Sequence, residues 1–507
     1  MMNGVPKRKY VYGIVLIAAV LLIGCLSISA HSLWMDEGLR IGFSNVDVEN
    51  GYFIRSWQSM HVGLVHYMYA WGQLIGTSEV AYRAMNLPFF LVAAVYMVRM
   101  LRRMNLSAWW VLLFVAHPMT VYYMNDAGPY IALLGCACAV SYHCFFASNL
   151  NSAWNTAAVL AWLLLGFAMH FTFGFVGFLY LYSLAYRLWQ GRRWGILLKD
   201  VAVAVPFMPA FAYILWMYLT YMPKGAALGM DTPGFINLAT CGYCFTGMSG
   251  LGVPRNEMKA GGLQAFSPLM LTLVSTCCVA LLTLLCLHVR KVWMQVKSPV
   301  FAATALVACV FFVGAVAKDF QFWERHVIFL FPAFFLVLAI MLQQAWQHRM
   351  RVLNRALAVV FMGLILTSSA RLRWSEPYRK DDYKSMIHYV QEQGCLDGSM
   401  PVLAQGDFFL YHYYGVGYAE ARFIMAPDCV TGVMSLPQED LLQSVDYISR
   451  NYSKLCLILH QKKTRTPELY ADAERIFAQK GYFVTCNSEF NTFKVLILER
   501  TYGFGNF

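Results

Sequence analysis

The chain of 507 residues is 59% hydrophobic and only 13% charged, about half the charge of a soluble domain, which excludes a soluble globular protein and points to a polytopic membrane protein. Its formal net charge of +12 does not signal nucleic acid, because 15 of 39 basic and 16 of 27 acidic residues lie at or beyond Arg371, leaving 24 basic against 11 acidic before it. That excess sits in loops between apolar runs, as the positive-inside rule expects, and no compact basic patch with interleaved aromatics offers itself to a nucleic acid.

Residues Tyr10 to Ala30 form an uncharged run long enough to span a bilayer, and Lys7-Arg8-Lys9 before it predicts a cytoplasmic N-terminus. Leu22-Ile23-Gly24-Cys25 resembles a lipoprotein signal and Ile28-Ser29-Ala30 a signal-peptidase site, but the run is longer than a usual signal core, so a retained span is expected. Trp34-Met35-Asp36-Glu37 then emerges outside. Ser44 to Gly76 is amphipathic and aromatic, and predicts helices lying along the outer membrane face within an external loop, 31–82. Further spans are expected at 84–101, 107–124, 129–147, 153–169, 171–188, 194–216, 266–288, 299–317, 326–343 and 355–370, eleven in all with the first. Every strong basic cluster then falls on one side: Arg102-Arg103; Arg187 with Arg192-Arg193; Arg290, Lys291 and Lys297; and Arg349, Arg351 and Arg355. A second external loop, 217–265, and everything after residue 370 fall on the other.

The tail, 371–507, changes character. Pro401 to Ala404, Lys454 to His460 and Phe493 to Glu499 read as buried strands, while Gln438 to Asn451 and Pro467 to Gln479 have helical spacing, so a small extracytoplasmic α/β domain is expected after a membrane domain, 1–370. Of 14 cysteines, eight lie in apolar runs as small hydrophobes. Cys395, Cys429, Cys456 and Cys486 in the tail are open to disulfide formation, with connectivity undetermined. Cys241-Gly-Tyr-Cys244 reads first as a loop staple, with metal binding and redox exchange as the other readings.

Several polar residues gather where this topology puts the outer membrane surface: Asp36 and Glu37, His61, Arg83, Asp126, His170, and Arg325-His326. Taken singly, a helix-end arginine snorkels, a lone histidine is a satisfied structural group and an acidic loop is merely solvated. Their convergence on one face is what those plain readings do not explain.

These residues make the chain similar to the polytopic glycosyltransferases of the GT-C class, nearest the group holding protein O-mannosyltransferases, the aminoarabinose transferase of lipid A and related bacterial sugar transferases. Trp34-Met35-Asp36-Glu37 resembles that family's acidic external-loop motif, and Ser59-Met-His61-Val-Gly-Leu-Val-His-Tyr67 a His-Pro-Pro-Leu-Tyr-Tyr stretch. Gly76 to Arg83, Pro118 to Tyr130, His170-Phe-Thr172 and Arg325-His326 to Pro332 follow in the family's order, over about the first 345 residues. Val62 and Gly63 replace both prolines, and Asp126-Ala-Gly128-Pro129-Tyr130 lacks the arginine of the family's acidic-Ala-Arg-Pro-Tyr pattern.

The resemblance implies a GT-C-like fold and transfer of a sugar from a polyprenyl-phosphate donor to a lipid, glycan or protein acceptor, in contact with membrane lipids at the outer face of a bacterial inner membrane. The donor already has a good leaving group, so a carboxylate must take the proton of the attacking hydroxyl, a contribution of about 10² to 10⁴ in rate. Asp36 is the expected base, with Glu37 orienting it or holding the acceptor. A cation at headgroup depth stabilises the departing phosphate; Arg325 is the first candidate and Arg83 the second. His61, His170, His326 and Tyr130 are expected to line the sugar or phosphate pocket. Asp126 is expected in the catalytic group, and with Asp36 offers carboxylates to a divalent cation, whose need is left open because some relatives work without metal. Direct displacement at C1 implies inversion.

Two other classes compete. A transporter or lipid flippase places charge near the bilayer midplane in repeated halves, whereas here charge collects at span ends on one side and no halves repeat. A scaffold or receptor would work through the tail, where no catalytic pattern is read.

Overall fold

The computed structural model describes residues 7–49, 61–191, 194–221, 233–254, 257–258, 262–320, 322–347, 351–397, 400–404, 408–415, 423–424, 446, 448–460 and 474–500. They divide into two compact units, one of residues 1–29, 52–252 and 267–374 and one of residues 30–51, 253–266 and 375–507. The expected boundary after residue 370 falls inside the helix Arg351–Trp374, and the second unit includes the segment carrying Asp36 and Glu37.

The first unit is helical. Among its described residues seven stretches are long and apolar enough to cross a membrane: Glu79–Arg103, Phe171–Gln190, Trp194–Thr220, Pro268–Val296, Pro299–Ala317, Glu324–Gln347 and Val352–Trp374. Val11–Ser27, Tyr130–Phe145, Ala153–Met169 and Phe235–Phe245 are shorter apolar helices. Outward side chains such as Ile14, Ile17, Leu269, Val279 and Leu282 are apolar, as faces that meet acyl chains must be.

Seven of the eleven expected spans fall on these long stretches and 10–30, 129–147 and 153–169 on shorter helices, but 107–124 is broken into Trp110–Val115 and Pro118–Met124. Pro118 lacks an N–H and its ring crowds the carbonyl four residues back, so the helix must restart there. His117 caps the restart, its Nδ1 accepting from the Met119 N–H at 3.2 Å.

The helix Tyr130–Phe145 lies at the centre of the unit, buried along nearly its whole length. Its small residues permit backbone approach: a Cβ on Gly135 would stand 2.7 Å from the Phe89 carbonyl oxygen of the helix Leu87–Arg103.

One expectation about charge is corrected. Arg187 is not a solvated loop cation; it is buried and pairs with Asp200 at 2.6 Å, where Thr156 and Tyr180 also donate to the carboxylate at 2.9 and 3.0 Å. Those partners come from three helices, and an arginine whose carboxylate is 13 residues away cannot be told from a loop charge by local pattern. Arg192, Arg193 and Arg349 lie outside the described residues.

The second unit is built on a five-stranded sheet of order β2-β1-β3-β5-β4, with β1 Val402–Ala404, β2 Phe423–Ile424, β3 Lys454–His460, β4 Tyr482–Phe490 and β5 Phe493–Arg500. β1 runs parallel to β2 and β3, whereas β5 runs antiparallel to both β3 and β4. Leu403, Leu455, Leu457, Leu459, Leu496 and Leu498 fill one core with Phe477 and Tyr482. The three expected strands are present. The helices expected at 438–451 and 467–479 lie partly outside the described residues, and their described parts are helical.

The cysteine expectations are also revised. Cys241 and Cys244 lie buried one turn apart on the helix Phe235–Phe245, so the pair is not a staple across a loop. Cys395 and Cys456 are neighbouring buried thiols; the hydrogen bond from Cys456 holds Cys395 below the ordinary thiol value and pushes Cys456 up. Cys456 and Cys486 both stand opposite Ile497 of β5, on its two sides, roughly 9 to 10 Å apart at normal strand spacing and too far to be bridged. Cys429 lies outside the described residues.

Candidate active site

In the first unit the histidines singled out by sequence converge. The ring centroids of His61 and His170 are 4.8 Å apart, those of His170 and His326 6.1 Å, and those of Tyr130 and His170 6.5 Å. All four side chains are buried. They come from four different elements: the residue before the helix Val62–Ile75, the junction between Ala153–Met169 and the 3₁₀ turn Phe171–Val176, the turn Glu324–Leu330, and the first residue of the central helix.

Backbone capping fixes the chemistry of two of these rings. The Thr172 N–H donates to His170 Nδ1 at 3.2 Å and the Trp323 N–H donates to His326 Nδ1 at 3.0 Å. With Nδ1 accepting at its cap, each ring is set to present Nε2–H as a donor on its other side. His61 is set the other way, with Nδ1 facing the Met169 carbonyl at 3.4 Å.

Close packing accounts for the glycine at position 63. A Cβ on Gly63 would stand 2.8 Å from the Ala168 Cβ and 3.1 Å from its backbone, so only glycine lets the helix Val62–Ile75 sit this close to the end of Ala153–Met169. Gly63→Val is expected to overpack that contact and destabilise the protein by roughly 1–3 kcal/mol, read as a lower unfolding midpoint in detergent.

Two groups join this cluster that the sequence reading did not select. Glu324 is buried and its Oε1 accepts from the Tyr123 hydroxyl at 2.9 Å, and the Tyr123 ring lies 4.8 Å from that of Tyr130. Arg325, half-buried, is thus flanked by two pinned neighbours, Glu324 on Tyr123 and His326 on its cap.

Arg83 and Asp126 are held by a different set of bonds. Arg83 is buried, and its Nη1 donates to the Ser29 carbonyl and hydroxyl at 3.0 and 3.2 Å; Ser29 Oγ in turn donates to Asn125 at 2.7 Å. Asn86, three residues on from Arg83, donates to the backbone carbonyls of Tyr123, Met124 and Asp126, the last at 2.7 Å. Together they fix the turn that carries buried Asp126. Arg83 is therefore seen holding backbone, while Arg325 is the more exposed of the two arginines.

Asp36 and Glu37 belong to the second unit, in the first turn of the helix Met35–Glu49. Carboxylates there are favoured by the partial positive charge of a helix start. Glu37 Oε2 accepts from the Trp34 N–H at 3.1 Å, half of a capping box, and Oε1 is 4.0 Å from the Lys380 ammonium. Asp36 lies 3.9 Å from Arg40, one turn on. Glu37 is fully buried, whereas Asp36 retains some exposure. Among the described residues no group of three or more His, Cys, Asp or Glu is arranged to hold a metal ion.

The described residues thus form a helical unit with several apolar stretches long enough to cross a membrane and a unit built on a small sheet. No protein-family model matches the sequence, and no curated protein matches it by sequence. The fold is shared with ArnT from Cupriavidus metallidurans: its apo-state crystal structure aligns at a TM-score of 0.57 and 14% identity, over 97% of this chain and 98% of that one. A second ArnT crystal structure, bound to undecaprenyl phosphate, aligns at a TM-score of 0.57 and 13% identity over 96% and 98% of the two chains. The likeness therefore runs through the tail as well, well past the 345 or so residues over which motifs are legible.

Proposed function

We propose that the chain is a membrane glycosyltransferase that moves a sugar from a polyprenyl-phosphate donor to a hydroxyl of an envelope lipid, glycan or protein, with inversion at C1. The observation that carries this reading is the near end-to-end fold likeness to a structure holding undecaprenyl phosphate. The site chemistry supports it. His170 and His326 offer N–H donors, and Arg325 a cation, to an anionic leaving group, while Asp36 offers a carboxylate to the acceptor hydroxyl. In the proposed reaction the acceptor oxygen bonds to C1 as the bond from C1 to the phosphate oxygen breaks. The hydroxyl proton goes to Asp36 and the electron pair leaves on the polyprenyl phosphate. The proposed setting is a bacterial inner membrane, with the N-terminus in the cytoplasm and the tail outside.

The test is a transfer assay in vesicles carrying the purified protein, an envelope lipid extract as acceptor, and undecaprenyl phosphate linked to a radiolabelled hexose, pentose or aminopentose. The expected result is label in an acceptor of new mobility together with free undecaprenyl phosphate. Label that crosses the bilayer still attached to its lipid, with no transfer, would replace this reading with the flippase.

A further inference from the structure

The tail has no catalytic motif of its own, yet it grips the segment that carries the acidic pair. Five contacts among the described residues of the second unit join them. The Tyr414 hydroxyl accepts from the Leu33 N–H at 2.8 Å, and the Lys384 N–H donates to Ser32 Oγ at 3.2 Å. Gly38 lies so close to Leu410 that a Cβ there would stand 2.3 Å from the leucine Cγ. Lys380 places its ammonium 4.0 Å from Glu37 Oε1 and 4.8 Å from the centre of the Trp34 ring, an ion pair and a cation–π contact from one side chain.

Lys380 is itself held. Asn491, in the turn between β4 and β5, donates to the backbone carbonyls of both Arg379 and Lys380 at 2.7 Å. Asp381 faces His460, the last residue of β3, at 3.5 Å, and Asp382 caps the helix Tyr383–Glu392 by accepting from the Ser385 N–H at 3.1 Å. Residues 379–382 thus form a brace tied to the sheet at two points and to a helix at a third. With Glu37 fully buried, removing its cation leaves a carboxylate without that compensation, in a place where water cannot supply it.

We infer that the work of the C-terminal unit is to hold the Asp36–Glu37 turn in register, with Lys380 as the positioning residue for Glu37 and, through it, for Asp36. This rests on the reading of Asp36 as the base. A displacement of about 1 Å in a reacting group costs about 10²-fold in turnover, which sets the size of the effect.

The experiment uses the full-length protein in detergent and in vesicles. Lys380→Met is expected to lower kcat about 10²-fold while the donor KM stays within twofold, and Lys380→Arg to recover most of that loss. Hydrogen exchange of the backbone amides from Ser32 to Ile41, read by mass spectrometry with no substrate present, is expected to rise in Lys380→Met and not in Lys380→Arg. Asn491→Ala, which touches neither carboxylate, is expected to raise exchange over the same stretch with a smaller fall in kcat, and serves if Lys380→Met does not fold. Unchanged exchange in both Lys380→Met and Asn491→Ala, or an undiminished kcat in Lys380→Met, overturns the inference. Absence of transfer by the wild-type protein overturns the proposed function alone, because the exchange result still decides whether Lys380 holds the turn.

Discussion

Asp36→Asn is expected to reduce kcat by about 10² to 10⁴ while leaving the protein folded and inserted. The substitution keeps the shape of the side chain and removes only its capacity to take a proton. One pair that it disturbs is long, 3.9 Å to Arg40 at a spacing of one helical turn, and the asparagine amide still offers an oxygen to the guanidinium, so less is lost than by deleting the side chain. Turnover is therefore expected to fall by more than stability at this position. Glu37→Gln differs, because Glu37 is fully buried between the Trp34 N–H and Lys380, and its neutralisation is expected to lower the unfolding midpoint as well as turnover. Single-turnover transfer with a radiolabelled donor, alongside thermal unfolding in detergent, reads both. Wild-type turnover in Asp36→Asn would remove it as the base and leave the proposed chemistry without a proton acceptor.

The membrane class and seven of the span positions were legible because they depend on sums over about 20 residues, and burying or exposing that many apolar side chains overrides local detail. The break at His117-Pro118 was legible in principle, since a proline inside an apolar run restarts a helix wherever its neighbour can cap it. β4 was missed because Phe483 and Val484 are both exposed, on opposite faces, while its other residues are mostly polar, so neither alternation nor a continuous apolar run marks Tyr482–Phe490. The strand is fixed by eight register partners on β5, a long-range fact.

The site was partly legible for a related reason. His170 and His326 were chosen as polar residues at span ends, His61 on the surface segment and Tyr130 from the resembled pattern, and the four meet at one place. Their partners are different in kind. Glu324 meets Tyr123 across 201 positions, and Lys380 meets Glu37 from the far end of the chain. No spacing rule links such pairs. Asn86 shows the intermediate case: three residues after Arg83, it continues the same run of backbone contacts, and only the carbonyls of 123, 124 and 126 reveal why an amide stands there.

Arg325→Ala is expected to lower kcat by about 10² to 10³, the usual cost of removing one preorganised charge from the place where negative charge develops. The argument rests on how the backbone around it is pinned. Glu324 is bonded to Tyr123 on one side, and on the other His326 accepts the Trp323 N–H while its ring lies 5.2 Å from Phe320. These two bonds do not involve the guanidinium, and they are expected to keep the turn Glu324–Leu330 in place when it is removed. Lys at this position restores charge without the planar fork, and is expected to recover turnover only in part. Ground-state donor binding and turnover respond differently: if the arginine meets the phosphate mainly as it departs, kcat falls further than donor affinity, because only interactions that strengthen in the transition state accelerate the step. Steady-state transfer over a range of donor concentrations, with undecaprenyl phosphate as a product inhibitor, measures both quantities. An Arg325→Ala protein with wild-type kcat and unchanged inhibition by undecaprenyl phosphate would move the leaving-group site to another cation.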